Sequence, residues 1–171
     1  MELKRVVVTG LGAITPLGNT LPETWEGIIN GKSGAGPITQ FDASKFKTQF
    51  ACEVKGFDPL KVMDRKEAID AAKQAIEDAA MDLDKEDKNR IGVIFASGIG
   101  GIKTFDEEVL SYAKIKDTIG PKFNPFFIPK MISDIAAGHI SMLYGFHGPN
   151  FATVSACASS TNAISDAFNY I

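Results

Sequence analysis

One cysteine of this chain lies where a thiol can be activated. Cys157 follows a short extended pattern that ends at Val154, and it precedes an apolar pattern of helical spacing that reaches Ile171. A helix N-terminus has unpaired amides and the positive end of the helix dipole, and both favour a thiolate. The position therefore predicts a nucleophile that forms thioesters. A small buried core cysteine fits the same position, because apolar burial makes a thiol inert.

The bulk composition excludes several classes of protein. A length of 171 residues with 44% hydrophobic and 23% charged residues predicts one globular domain that spans residues 1–171. The net charge of -3 argues against nucleic acid as a partner. No apolar stretch approaches the ~18 residues of a membrane-spanning helix, and no secretory signal is recognised. We therefore expect a cytoplasmic protein with no membrane partner.

The two cysteines are expected to be free thiols. Cys52 and Cys157 lie far apart in the sequence, without Cys-x-x-Cys spacing or a histidine cluster. This arrangement favours a reducing compartment and no structural metal. We expect a structural role for Cys52, and no cofactor is predicted.

The hydrophobic patterns alternate between strand and helix. Residues 5–11 form a continuous apolar run, which predicts a central strand covered on both faces, and residues 90–97 predict a second buried strand. Residues 105–116 and 131–144 have helical patterns. The second of these is apolar nearly all round, which predicts a helix buried within a larger assembly. The alternation predicts an α/β fold.

Two capping boxes predict where two earlier helices begin. In the first, Thr20 is the N-cap and Glu23 follows three residues later; the second pairs Asp64 with Glu67. Gly31 is expected to end the first helix, and Gly145 is expected to cap the helix predicted over residues 131–144. The buried faces predicted by the spacing are Leu21, Trp25, Ile28 and Ile29 in the first helix, and Ile69, Ala72, Ala75 or Ile76, and Ala79 or Ala80 in the second.

Several motifs carry a family resemblance. They are Val6-Val7-Val8-Thr9-Gly10-Leu11-Gly12, Phe41-Asp42, Ser97-Gly98-Ile99-Gly100-Gly101, Pro125-Phe126-Phe127-Ile128-Pro129, Ala136-Ala137-Gly138-His139, Gly148-Pro149-Asn150 and Val154-Ser155-Ala156-Cys157-Ala158-Ser159. In this order, over almost the whole chain, they resemble the N-terminal part of the β-ketoacyl-acyl-carrier-protein synthase II family. The resemblance implies a thiolase-like layered α/β/α fold, of which this chain is an incomplete first half. It also implies a homodimer and chain elongation in fatty acid synthesis.

The resemblance implies a catalytic role for Cys157, and it implies that this chain can perform only part of the reaction. Cys157 matches the nucleophile that accepts an acyl group from acyl carrier protein, and its own amide would be one oxyanion-hole donor. Malonyl-carrier protein then loses carbon dioxide, and its carbanion attacks the stored acyl group to release a 3-ketoacyl product. In the family this step uses two histidines and a lysine of the C-terminal half, and His139 and His147 do not match them. We therefore expect this chain, which looks truncated after the nucleophile helix, to be inactive in condensation by itself.

Matching positions also provide candidate acyl-pocket residues. Phe105 matches a position that lines the acyl tunnel and is often a smaller aliphatic residue in the family. We therefore expect a preference for short or medium acyl primers. The positions that line the partner subunit's tunnel match Phe127, Ile128 and Met131.

The segment that docks the carrier protein differs from the family pattern. Roughly ten residues of a basic helical segment that the family carries between Glu67 and Ala68 are missing here, which is about three helical turns. The remaining candidate contacts with acyl carrier protein are Arg65, Lys66 and Lys122.

Two other interpretations stay open at this point. Gly10-Leu11-Gly12 after a strand suggests a dinucleotide-binding protein, although Thr15 stands where the motif needs its third glycine. The other interpretation is a non-catalytic remnant, or half of a split synthase that lacks the decarboxylation residues. Condensation activity in a sample whose Cys157 is reactive would distinguish an enzyme from a remnant.

Overall fold

The computed structural model of the protein describes residues 5–57, 66–118, 120 and 122–171, without the side chains of residues 66–68. The described chain forms two compact units, Val7–Asp82 and Leu83–Ile171, the second together with Arg5 and Val6. Both units contain helices and short strands, so the predicted α/β class is confirmed.

The described residues of the unit Val7–Asp82 form two α-helices and a small hairpin. Helix α1 spans Leu21–Ile29 and helix α2 spans Lys66–Asp78. Between them in the chain, strands β1 (Gly36–Pro37) and β2 (Phe50–Ala51) pair antiparallel. The strands are only two residues long. Side-chain hydrogen bonds and close packing at glycines therefore contribute to holding the backbone of this unit.

The central strand predicted for residues 5–11 is wrong, because these residues form no strand. The amide of Leu11 donates to the Asp78 carboxylate (2.9 Å), and the amide of Ala13 donates to Gln74 Oε1 (3.2 Å). These hydrogen bonds of the segment therefore go to side chains of α2 instead of a neighbouring strand. An apolar run becomes a strand only where another backbone pairs with its amides and carbonyls.

Two glycines bring this segment against α2. A Cβ on Gly10 would overlap the carbonyl oxygen of Ala75, and a Cβ on Gly12 would overlap that of Ala71. Such close approach of two backbones requires glycine. Because α1 begins only at Leu21, the glycines do not form the helix start on which dinucleotide binding depends.

The predicted N-cap of α1 is confirmed. Thr20 Oγ1 accepts a hydrogen bond from the amide of Glu23 (3.3 Å). The Glu23 carboxylate accepts from the amide of Asn19 (2.8 Å), one residue earlier than in the usual capping box. The helix ends at Ile29 with Asn30 as its C-cap, and Gly31 follows with a left-handed φ of 62°, as the sequence predicts.

The predicted buried face of α1 is wrong. Three residues of the apolar stripe are 54–63% exposed, namely Trp25, Ile28 and Ile29. Thr24 and Gly27 are buried instead. The turn before the helix determines this choice, because Thr15 lies with its Oγ1 3.0 Å from that of Thr24, and Leu17 lies against Gly27.

The predicted buried face of α2 is confirmed. Ile69 is 5% exposed, and the half-buried residues of the same face are Ala72, Ala75, Ile76 and Ala79. On the opposite side Lys73 and Glu77 are exposed and form an ion pair one turn apart (3.7 Å). The second capping box lies outside the described residues, because Asp64 and the side chain of Glu67 are not described.

A parallel pair of strands lies at the centre of the unit Leu83–Ile171. Strand β3 (Val93–Ala96) runs beside β4 (Asn150–Thr153). The strand predicted for residues 90–97 is shorter than expected, because Lys88–Arg90 forms a 3₁₀ turn. The helices of this unit are α3 (Ile102–Ile115), α4 (Phe127–Met131), α5 (Ile135–Tyr144) and, after β4, α6 (Ser159–Tyr170).

The helix predicted over residues 131–144 is interrupted. Helix α4 ends at Met131, and α5 begins at Ile135, because Ile132 has extended backbone angles (φ −68°, ψ 146°). The Met131 carbonyl accepts from the amide of Gly101 (2.8 Å). A contact with the start of α3 therefore fixes the place of the break.

Helix α5 is buried on one side only. Ala137 and Ile140 are buried, whereas Met142 and Leu143 are 69% and 53% exposed. Within this chain the helix is therefore covered on one side, and its burial by a larger assembly stays a prediction. The predicted cap is confirmed, because Gly145 has a left-handed φ of 73° and its amide donates to the carbonyl at the end of the helix.

Candidate active site

The turn between β4 and α6 carries Cys157. This residue lies in a 3₁₀ turn, Ala156–Ala158, which leads directly into α6 at Ser159. The predicted position at a strand-to-helix junction is confirmed. The Cys157 side chain is exposed and is a free thiol, so the alternative of a buried core cysteine is wrong. Cys52 is also an exposed free thiol.

The residue before this cysteine has an unusual backbone. Ala156 has a left-handed φ of 52°. This conformation costs a residue with a Cβ about 1–2 kcal/mol, and such residues cluster at functional sites. The left-handed residue turns the chain sharply between the end of β4 and the residue that carries the thiol.

The amide of Cys157 is available to a ligand. It donates to no carbonyl or side chain among the residues that the structure describes, whereas the next two amides donate to Ser155 O (3.1 Å) and to Ala156 O. An unpaired amide on the nucleophile itself is the kind of donor that stabilises an oxyanion when a thiol attacks a carbonyl.

A buried hydroxyl ties this turn to its surroundings. Ser159 is 3% exposed, and its Oγ accepts from the amide of Ser155 (2.8 Å). The same Oγ lies 2.7 Å from Ala156 O and 2.9 Å from Ser97 O, and it donates its single proton to one of them. The Ser159 carbonyl accepts from Thr153 Oγ1 (2.8 Å). The hydroxyl and carbonyl of one residue thus join the ends of β3, β4 and the cysteine turn.

The glycine run predicted after β3 lies at the carboxyl end of that strand. The Ser97 amide donates to Thr153 O (3.1 Å), which continues the parallel ladder, and Ser97 Oγ accepts from the amide of Gly100 (3.0 Å). Helix α3 then begins after its N-cap Gly101. Because the cysteine turn follows β4, both loops lie at the carboxyl ends of parallel strands, where α/β proteins bind ligands.

Two of the four predicted acyl-pocket residues are in contact. The rings of Phe105 on α3 and Phe127 on α4 have centroids 6.3 Å apart. The aromatic series continues from Phe127 to Phe123 (5.8 Å) and from Phe123 to Tyr112 (4.9 Å). Phe123 and Tyr112 were not predicted from the sequence, although a spacing of seven residues places Tyr112 on the same face of α3 as Phe105.

The other two predicted acyl-pocket residues lie on α4. Ile128 is 53% exposed and Met131 is half-buried, while Phe105 is 45% exposed. The end of α4 therefore presents apolar side chains that this chain does not cover.

The described residues contain one complete candidate for carrier-protein contact. Lys122 is exposed and directly precedes Phe123. Arg65 lies outside the described residues, and so does the side chain of Lys66.

The two histidines of the chain lie in and after α5. His139 is half-buried in this helix, and His147 is exposed beyond its end. The amide of His147 donates to the carbonyl of Lys88 (2.9 Å).

The described residues contain neither a metal-ligand cluster nor a membrane-spanning helix. No group of three or more His, Cys, Asp or Glu side chains among them could hold a metal ion. None of their helices has the length and hydropathy needed to cross a bilayer.

Sequence relatives of the chain share one function in name. The family model described as "Beta-ketoacyl synthase, N-terminal domain" matches residues 3–171. The chain is 44% identical over 181 residues to a 3-oxoacyl-acyl-carrier-protein synthase 2 of Synechocystis sp., and 41% identical over 182 residues to one of Coxiella burnetii. Both alignments cover 100% of this chain and 43% of the relative, so the chain spans less than half the length of these proteins.

Solved structures with a similar fold are ketosynthases. A ketosynthase bound to a hexaketide, in complex with its type II PKS acyl-carrier protein, matches with a TM-score of 0.83 at 26% identity, over 99% of this chain and 42% of that one. A beta-ketoacyl synthase from Burkholderia phymatum matches with a TM-score of 0.74 at 24% identity, over 98% and 43%. The chain therefore has part of the thiolase-like layered fold.

Proposed function

Because the chain belongs to the beta-ketoacyl synthase family, we propose that the whole protein is a β-ketoacyl-acyl-carrier-protein synthase II. It elongates fatty acyl chains by decarboxylative Claisen condensation of malonyl-carrier protein with an acyl group held as a thioester on Cys157. Residues 1–171 belong to its N-terminal thiolase-like domain, which they cover up to the helix that follows the nucleophile. The observation that carries the proposal is the exposed Cys157, whose own amide is unpaired, in the turn between β4 and α6.

The first half-reaction uses groups of this turn. The Cys157 sulfur attacks the thioester carbonyl of acyl carrier protein, a new carbon–sulfur bond forms, and the thiol of the carrier's prosthetic arm leaves with a proton. Negative charge develops on the carbonyl oxygen, and the Cys157 amide donates a hydrogen bond to it. A preorganised donor of this kind typically contributes ~10²–10³ in rate.

The second half-reaction needs groups from elsewhere in the protein. Loss of carbon dioxide from malonyl-carrier protein generates a carbanion, which attacks the stored acyl group and returns the sulfur of Cys157 to its starting state. The family resemblance assigns this step to two histidines and a lysine of the C-terminal half. The chain spans 43% of the length of its relative from Synechocystis sp.. We therefore expect residues 1–171 alone to form the acyl-enzyme but to release no 3-ketoacyl product.

The acyl-pocket residues are assigned as the family resemblance implies: Phe105 lines the pocket of its own subunit, and Phe127, Ile128 and Met131 line that of the partner subunit. The rings of Phe105 and Phe127 lie 6.3 Å apart between centroids, which is compatible with neighbouring pockets. A phenyl ring at Phe105 limits the length of the bound chain, so the whole protein prefers short or medium acyl primers. The variant Phe105→Ala is expected to accept longer primers. Val109→Ala, one turn further along α3, is the control, and an unchanged primer preference in Phe105→Ala would remove this assignment.

The proposed partner is acyl carrier protein in its acyl and malonyl forms, which Arg65, Lys66 and Lys122 contact. Complementary charge raises the association rate more than it changes chemistry. Lys122→Glu is therefore expected to slow acyl transfer from the carrier but not from a small acyl thioester. We also propose that the whole protein is a homodimer in the cytoplasm and that it binds neither nucleic acid nor a membrane.

Covalent labelling tests the proposed nucleophile. The protein is incubated with an acyl-acyl-carrier protein, and the acyl adduct is located by peptide mass spectrometry. We expect the adduct on the wild type and on Cys52→Ser, a control that removes the other exposed thiol, and no adduct on Cys157→Ser. A wild type that carries no adduct, or an adduct that persists on Cys157→Ser, would overturn the proposal.

A further inference from the structure

A buried polar side chain directly follows the turn Ala156–Ala158 that carries the cysteine. Cys157 is exposed, whereas Ser159, two residues later, is 3% exposed. A buried hydroxyl is unfavourable unless it is hydrogen-bonded. Ser159 Oγ accepts from the Ser155 amide and donates its single proton to either Ala156 O or Ser97 O, so the hydroxyl is hydrogen-bonded where it is buried.

The hydrogen bonds of this hydroxyl enclose the left-handed residue. Ser159 Oγ accepts from the amide of Ser155, before Ala156, and lies 2.7 Å from the carbonyl oxygen of Ala156 itself. A left-handed residue with a Cβ persists only where its surroundings hold it. The Ser159 hydroxyl provides contacts on both sides of this residue.

The same residue connects the turn to both strands. Ser159 Oγ lies 2.9 Å from Ser97 O at the end of β3, and the Ser159 carbonyl accepts from Thr153 Oγ1 at the end of β4. The direction of the peptide group between Ala156 and Cys157 is therefore fixed relative to the parallel pair. That peptide group contains the unpaired Cys157 amide.

We propose that Ser159 is a positioning residue for acyl transfer, whose hydroxyl holds the Ala156–Cys157 peptide so that the Cys157 amide meets the oxyanion of the incoming thioester. Ser159 acts through Ala156 and does not touch the substrate. The inference rests on the proposed function, because it assumes that Cys157 is acylated.

Two reactions of the same sulfur separate positioning from a structural role. Acylation by a thioester needs the sulfur and the amide, because charge develops on the carbonyl oxygen. Alkylation by iodoacetamide needs only the sulfur, which forms a bond to the methylene carbon as iodide leaves. Loss of positioning therefore slows acylation selectively, whereas general disorder of the turn changes both rates.

The test compares both rates in the wild type and in Ser159→Ala. Acylation of Cys157 by a small acyl thioester is expected to fall by about tenfold or more, while alkylation by iodoacetamide stays within about threefold. The matched control is Ser165→Ala, an exposed serine of the same helix whose Oγ donates to Thr161 O (3.0 Å). It is expected to leave both rates unchanged.

A second pair of variants keeps the test decisive if Ser159→Ala does not fold. Ser159→Thr and Ser159→Val have the same shape, and only the first retains the hydroxyl, so acylation is expected to survive in the threonine variant alone. Equal acylation in this pair, equal acylation in Ser159→Ala and wild type, or parallel loss of acylation and alkylation would overturn the inference. A wild type that is alkylated but not acylated would instead overturn the proposed function and, with it, this inference.

Discussion

The two compact units hold their backbones in different ways. In Leu83–Ile171, strands β3 and β4 form a parallel ladder of four residue pairs, and the buried Ser159 joins the strand ends. In Val7–Asp82, each paired strand has two residues, and Gly10 packs its backbone directly on α2. The candidate nucleophile lies in the unit with the longer ladder and the buried hydroxyl. Positioning a reactive group requires that its backbone be fixed by well-defined hydrogen bonds and packing.

The largest effect is expected in the core of the unit Leu83–Ile171. Ile140 is 4% exposed on α5, which packs against both β3 and β4. Ile140→Ala is expected to lower the free energy of unfolding by about 2–5 kcal/mol, because it leaves a cavity. Leu143→Ala, on the exposed side of the same helix, is expected to cost about 0.5 kcal/mol or less. Urea denaturation measures both, and similar losses would contradict the one-sided burial of α5.

Two glycine substitutions test the packing of Gly10 in the unit Val7–Asp82. They are expected to change the free energy of unfolding by less than Ile140→Ala does, and in opposite directions. Gly10→Ala places a Cβ against the Ala75 carbonyl, and overpacking of this kind is expected to destabilise by about 1–3 kcal/mol. At Gly138 in α5 a Cβ would meet nothing within 4 Å. Gly138→Ala is therefore expected to stabilise the protein by about 0.5–1 kcal/mol. Denaturant midpoints compare the two, and a Gly10→Ala variant as stable as the wild type would show that Gly10 is not in close contact with α2.

The smallest effect concerns the hairpin of Val7–Asp82. The Glu53 carboxylate accepts from Thr39 Oγ1 (2.7 Å) and from the Thr39 amide (3.0 Å), and these hydrogen bonds, the side-chain one first, lower the pKa of Glu53 below its ordinary 4.5. Because the folded pKa is the lower one, the stabilisation is complete above the unfolded pKa and is lost as pH falls through the folded pKa.

The stability difference between the wild type and Glu53→Gln measures this effect. It is expected to be small but present at neutral pH and to disappear in acid below the folded pKa. A difference that stays constant as the carboxylate is protonated would show that its hydrogen bonds with Thr39 contribute nothing through charge.

Local features were predicted well from the sequence. The N-cap Thr20, the left-handed Gly145 and the junction that carries Cys157 all depend on contacts within a few residues. The buried face of α2 also follows from spacing, because one of its faces is apolar and the other charged. Where a helix is apolar on more than one side, as α5 is, spacing does not select the buried side.

Features that depend on distant partners were not predicted. The strand expected for residues 5–11 does not form. The amides of Leu11 and Ala13 donate instead to side chains of α2, some 60 residues away in the chain. The exposed stripe of α1 was expected to be buried, since hydrophobic periodicity does not identify the partner that covers it. The aromatic pair Phe123 and Tyr112 was missed because one of them lies in a loop with no periodic pattern.

By itself the sequence determined the α/β class, the helix caps and a thiol at a strand-to-helix junction, because turns, caps and periodicity act over short distances along the chain. Only the tertiary structure decided that Ser159 holds this junction. Its hydroxyl lies beside the carbonyl of Ser97, which is 62 residues earlier in the chain. The pairing of β3 with β4 brings these two groups together, and no local pattern specifies that pairing.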